Sequence, residues 1–362
     1  MPTQSRSTTL GVGLQTSHDA APAGSYRGMV QSEVKANPMP TVEDVSDEVG
    51  MGLVATAGAY RLGVWTPITG RGRVRLGSLP QLLRMVGLNS MTHSHSGVVT
   101  THVLTPVSDV DDIPWASFLH GVGQASDRLL RVLSDGRLGT LKLLADANSL
   151  LKFEFAGVAS HEEIATGLER TINEFMPPLN TVQGSLSILD SGAGTLVGSV
   201  TNLNLEMGLD LSAEGDEIPV AGYEPSWLSV LRIRALADAD ASFQKDLFLD
   251  LFYNGSGAAG AGYSLQNVVG SLSVTYQSAM NIPGSSTPFS ITVELPTVEV
   301  SGGEWQSSGR GQIRMPVVMR PYQAGANPLI RVTVVTNQVD LNGVISAGTW
   351  SGAGLTYTAR SA

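Results

Sequence analysis

The sequence predicts a mainly β protein built of two similar β-sandwich domains, each with a short helix. Three observations carry this. Glycine is abundant, at 41 of 362 residues, and Ser and Thr recur throughout, which favours strands and turns over long helices. Apolar and polar residues alternate over many short segments, the period of half-buried strands. Arg73-Val74-Arg75-Leu76 runs into a short helical pattern, and Arg232-Ile233-Arg234-Ala235-Leu236, about 160 residues on, runs into another, so the halves read as a duplication.

Taken in order, residues 1–40 are rich in Ser, Thr, Gly, Ala and Pro and close with Asn37-Pro38-Met39-Pro40, which reads as an extended N-terminal arm. The first sandwich spans 41–176. Leu53 to Leu76, with Tyr60, Trp65 and the alternating Arg71, Arg73 and Arg75, reads as strands with one polar face. Ser78 then caps a helix over 79–88, whose Leu79, Leu82, Leu83 and Val86 make one stripe. Strands follow at 98–105, 115–120, 127–134, 137–145 and 149–156, with Ser134-Asp135-Gly136 as a hairpin turn. Ser160 and Glu163 form a capping box for a helix over 160–176 carrying Ile164, Leu168, Ile172 and Phe175, and Pro177-Pro178 ends it and marks the domain boundary. The second sandwich, 177–340, has strands at 183–190, 195–212 and 226–237, a helix over 242–253, then strands at 263–278, 289–300, 310–321 and 329–339. Residues 341–362 read as a C-terminal extension.

Composition narrows the function. Cysteine is absent, so disulfide scaffolds, thiolate metal sites and cysteine nucleophiles are excluded. The formal charge is −10, divided as −3 over residues 1–180 and −7 over 181–362, so neither half is a basic nucleic-acid module. The N-terminal stretch predicts no secretion signal, and no apolar run is long enough to span a membrane.

No motif assembles an enzyme. Gly255-Ser-Gly257-Ala-Ala-Gly260 fits the dinucleotide fingerprint but follows a helix and precedes a strand, the reverse of the order required, so no cofactor is expected. His93, His95 and His102 could aim rings at a metal, yet lack a nearby carboxylate and read as a polar loop. Asp109, Asp111 and Asp112 suggest a calcium loop until Pro114 takes the glycine position and His120 the bidentate glutamate position. Trp65, Trp115, Trp227, Trp305 and Trp350 are scattered singly, as core or interface anchors are. Arg71, Arg73 and Arg75 read as a solvated or salt-bridged strand face.

The order of segments over residues 10–340 resembles the tail tube proteins of long, non-contractile-tailed bacteriophages, of the two-domain type. The resemblance is carried by Arg61 to Leu76, Leu79-Pro-Gln-Leu-Leu-Arg-Met-Val-Gly87, Val103-Leu-Thr-Pro106 with Pro114-Trp-Ala-Ser-Phe-Leu119, Asp135 to Leu143, Leu150 to Gly157, and the strands at 197–211, 289–300 and 310–337. It implies a structural virion protein, not an enzyme, made in the host bacterial cytoplasm. Its sandwiches would join edge to edge into rings, which stack into a tube conducting DNA during ejection. Implied partners are further copies of itself, the tape-measure protein, tail terminator and baseplate proteins, and DNA that passes without tight binding; no membrane is involved.

Two sandwiches per chain favour a homotrimer per ring, with a hexamer as the alternative. The lumen-facing candidates are Glu206, Asp210, Glu294 and Glu299, acidic positions on long strands of the more acidic half, expected to form an acidic band. The competing reading is a soluble β-sandwich carbohydrate-binding or adhesion module, which calls for exposed aromatic pairs.

Overall fold

The computed structural model describes residues 8–18, 20, 26–29, 31–44, 59–123, 129–145, 149–165, 170–171, 177–189, 195–209, 211–212, 224–225, 232–239, 268–302 and 315–337. Among these the chain is mainly β with one α-helix. The elements up to residue 176 are β1 (Thr9–Leu14), β2 (Tyr26–Met29), β3 (Gln31–Ala36), β4 (Met39–Asp44), β5 (Ala59–Arg73), α1 (Leu79–Met85), β6 (Ser90–Ser96), β7 (Val99–Thr105), β8 (Ala116–Val122), β9 (Leu129–Ala145), β10 (Lys152–Ile164) and β11 (Arg170–Thr171). Beyond it lie β12 (Asn180–Leu189), β13 (Thr195–Gly208), β14 (Leu211–Ser212), β15 (Glu224–Pro225), β16 (Arg232–Ala239), β17 (Val268–Asn281), β18 (Pro288–Gly302), β19 (Met315–Pro321) and β20 (Arg331–Thr336).

The pairings form two antiparallel runs that meet at shared strands. In the first, β3 and β4 lie in tandem along one edge of β5, and the order continues β5–β10–β9–β13–β16–β19. In the second the order is β6–β7–β20–β18–β17–β12. The runs join where β19 pairs with the C-terminal part of β18 and β12 with the N-terminal part of β13. A branch, β8–β1–β2, hangs on the N-terminal part of β9, and β2 meets β11 in parallel.

Strand alternation builds the core. Phe153, Phe155, Leu141, Leu143, Leu205 and Met207 of the first run are buried in the same apolar cluster as Leu272, Val274, Ile291, Val293, Val332 and Val334 of the second, a β-sandwich-like arrangement. The β9–β13 and β7–β20 pairings carry hydrogen bonding across Pro177-Pro178. Helix α1 buries Leu79, Leu82, Leu83 and Met85 against β1 and β9. Ser78 stands at its N-cap position, but its side chain makes no capping hydrogen bond; Pro80 in the first turn and Gly87 at φ 97° delimit the helix instead.

Several expectations are corrected. The helix over 160–176 is replaced at 160–164 by the end of β10 and at 170–171 by β11. There, β9 offers a long edge on which His161, Glu162, Glu163 and Ile164 pair with Ser134, Leu133, Val132 and Arg131, and pairing overrides helical spacing. No hairpin turn forms at Ser134-Asp135-Gly136, because β9 runs straight through. The extra residue is absorbed as a bulge opposite Ser117, with Asp135 at φ 52°, a conformation Asp tolerates better than most residues. Where the N-terminal arm is described, β1 is wholly buried and paired with β2 and β8 of its own chain. The helix expected over 242–253, the Gly255–Gly260 run, Trp227, Trp305, Trp350 and the extension 341–362 lie outside the described residues.

Candidate functional site

Among the described residues, the outward face of the first run holds a long row of charges. Directly paired residues cross six strands as Glu33, Arg71, Glu154, Lys142, Glu206 and Arg234, alternating in sign at every step. The alternate residues Gly70, Phe155, Leu141 and Met207 face the core, so Glu33, Arg71, Glu154, Lys142 and Glu206 stand on the solvent side. Glu33 accepts from Arg71 at 2.6 Å and Lys35 at 3.0 Å, and Lys142 lies 3.3 Å from Glu206. Contact with Lys35, then the Arg71 charge, holds the Glu33 carboxyl below its ordinary range. A shallow trough of about 290 Å³ runs between Glu33, Thr69, Arg71, Thr140, Lys142 and Glu154.

Beside this row, Arg73 and Lys152 stand directly opposite each other, both exposed, a like-charge pair that cross-strand packing disfavours. Half-buried Arg75 follows; burial, then the Arg73 charge, pushes its guanidinium below its ordinary value. Arg71 fits the salt-bridged reading of the arginine stripe, whereas Arg73 extends a basic end.

Three of the four lumen candidates, Glu206, Glu294 and Glu299, are described. Glu206 sits between Lys142 and the register position of Arg234, Glu294 lies 3.6 Å from Arg331, and Glu299 pairs in register with Arg320. Each acid falls opposite a cation because registers are set by the apolar faces beneath. Asp210 lies outside the described residues.

The histidine segment, expected as a loop, is the hairpin β6–β7. Its seven pairs follow without a bulge, and it closes on Gly97 at φ 63° and Val98, a type II′ turn. His93 faces His102, ring centroids 6.2 Å apart, and His95 Nδ1 lies 2.9 Å from Thr100 Oγ1. His102 is buried, while His93 and His95 are exposed. No group of three metal-ligating side chains occurs among the described residues. Strand β6 pairs with β7 alone among the described residues and has no Pro, Lys or bulge to blunt its free edge. In a two-residue hairpin the pairs alternate, so the N–H and C=O groups of Met91, His93 and His95 point away from β7.

A buried polar cluster gave no sequence signal, since its members are far apart in the chain. Arg131 donates to Glu162 Oε1 at 2.9 Å, to the Ala36 carbonyl and to His120 Nδ1 at 2.8 Å, and Thr66 donates to Glu162 Oε2 at 3.2 Å. Burial, then the Arg131 charge, pushes the His120 imidazole down to about 4, with Glu162 opposing. Nearby, Gln15 and Asp135 exchange hydrogen bonds of 2.8 and 2.9 Å, pinning β1 to the bulge. These groups bind one another and join β1, β3, β5, β8, β9 and β10.

The acidic turn ends as a 3-10 turn over Val110–Asp112, with Asp109 accepting from the Asp111 N–H at 3.0 Å. Trp115 has Arg137 over its ring at 3.7 Å and His18 against its edge, so this aromatic face is occupied.

No protein-family model matches the chain, and no curated protein matches it. The resemblance to tail tube proteins thus rests on segment order. No described helix is long and apolar enough to cross a membrane.

Proposed function

We propose that this chain is a structural protein of the tail tube type found in long, non-contractile-tailed bacteriophages. Its copies join edge to edge, three to a ring, and the rings stack into a tube that conducts DNA. The observation that supports this best is the edge of β6 that no described strand pairs. In this seven-residue strand the N–H and C=O groups of Met91, His93 and His95 point outward, no described strand pairs with them and β6 has no Pro, Lys or bulge, so a strand from another copy would satisfy them. The paired charges of the first run agree with a protein that must tolerate a passing polyanion without gripping it.

The test is electron microscopy of the purified chain beside His93→Pro and His93→Ala. Proline at 93 removes an outward N–H while leaving the β6–β7 hydrogen bonds. Rings or tubes are expected for the parent and His93→Ala, and single subunits of unchanged melting temperature for His93→Pro. Uniform monomers from the parent at all concentrations would overturn the reading and favour the binding-module alternative.

A further inference from the structure

In a loop, His93 and His95 would share no direction; in strand β6 they do. Residues two apart in a strand stand on the same face, roughly 6.8 Å from one another along it. Both side chains are exposed. The support beneath them is regular: the hairpin pairs at seven successive positions without a bulge, and β7 is held on its other side by β20. His93 and His95 lie opposite His102 and Thr100 in non-hydrogen-bonded pairs, the type in which facing side chains approach most closely. His95 uses that closeness, since its Nδ1 lies 2.9 Å from Oγ1 of Thr100, a buried residue of β7.

We infer that His93 and His95 form a two-histidine chelate for a divalent transition-metal ion. Metal binding selects the tautomer in which His95 Nδ1–H donates to the Thr100 hydroxyl, which leaves the Nε2 lone pair for the ion. A hydrogen bond from the second ring nitrogen is how metal-binding histidines are commonly oriented. His93, its neighbour on the same face, supplies the second nitrogen, with metal–nitrogen bonds of about 2.0–2.1 Å. The donor set selects the ion. Two neutral imidazoles without a carboxylate suit Cu²⁺ best, then Ni²⁺ and Zn²⁺, whereas Ca²⁺ and Mg²⁺ require oxygen ligands. Neither β6 nor β7 carries a Lys or Arg to repel the ion. No group of three metal-ligating side chains occurs among the described residues, so the remaining coordination positions go to water or to a donor from another molecule. The site is therefore open, unlike a closed structural zinc centre.

Chelation needs one copy of the chain only, so it does not depend on rings or tubes.

The experiment titrates Cu²⁺ held by iminodiacetate, which leaves coordination positions for a pair of imidazoles, into the dilute full chain and follows it by electron paramagnetic resonance. The parent is compared with His93→Gln, His95→Gln, Thr100→Val and, as a control, His161→Gln, which removes an exposed histidine elsewhere. One ion per chain with two coordinated imidazole nitrogens is expected for the parent and for His161→Gln. His93→Gln and His95→Gln should each lose the two-nitrogen signal, and their affinity should fall by more than the roughly tenfold expected of Thr100→Val, which removes only the orienting hydroxyl. Melting temperatures report folding, and either glutamine variant decides the matter if the other does not fold. Absence of a two-nitrogen signal in the parent, or its survival in His93→Gln and His95→Gln, overturns the inference. Parent-like binding by Thr100→Val overturns the orienting role of Thr100. Two-imidazole binding by a parent that forms no rings or tubes upholds the chelate and sinks the tube reading; tubes without that signal do the reverse.

Discussion

The two outward faces of the molecule are built by the same alternation and differ in what stands on it. On the first run, Glu33, Arg71, Glu154, Lys142 and Glu206 follow one another across the strands. On the second, the corresponding row reads Thr92, Val103, Thr333, Thr292 and Thr275, with Thr275 and Thr292 hydroxyls 3.0 Å apart and the Glu294–Arg331 pair beside it. A surface of Thr and Val can be covered by another protein at little cost, whereas covering charges requires opposite charges in the cover. Composition of the faces, rather than strand order, therefore separates the two regions by what can dock on them.

The largest way to break this contrast is from beneath. Phe155 is buried under the charged row and stacks on Phe118 and Phe153, so Phe155→Ala should cost roughly 3–5 kcal/mol, read by denaturant unfolding. A loss below 1 kcal/mol would mean that the charged sheet does not depend on this packing.

Acid separates the regions next. The His120 imidazole titrates at about 4 in the folded protein against an ordinary 6.5, so the unfolded chain binds its proton more readily. Its contribution is fully present above pH 6.5 and is lost as the pH falls toward 4, by about 3 kcal/mol in all. Hydrogen exchange should show β1, β8 and β9 loosening first over that window, and His120→Gln should flatten the slope. An equal slope in the variant would remove His120 as its source.

A smaller effect tests the row itself. Glu154→Lys places three cations side by side, and about 0.5–1 kcal/mol of stability should be lost at low salt and largely regained at high salt. The smallest is on the other face, where Thr292→Val trades one hydroxyl contact for apolar surface and should shift stability by no more than about 0.5 kcal/mol. If Thr292→Val proved the more damaging of the two, the ranking of the faces would be reversed.

The sequence by itself determined the mainly β character, the strands near β7, β8, β17, β18 and β20, and helix α1. Each rests on a local period: alternation in Val99–Thr105, or the stripe of Leu79, Leu82 and Leu83. It also determined the net charge and the absence of thiols. Only the tertiary structure decided that Ser160–Ile164 extends a strand, that Asp135 sits in a bulge, and that β1 is buried within its own chain. It alone gathered Lys35, Arg71, Arg73, Lys142 and Lys152 on one face and Arg131, His120 and Glu162 in one cluster. The physical reason is that alternation says which residues of a strand share a face. Which strands lie side by side, and in what register, is set by burial of Phe155, Leu141 and Met207 against partners distant in the chain, and charges on the reverse side follow that register.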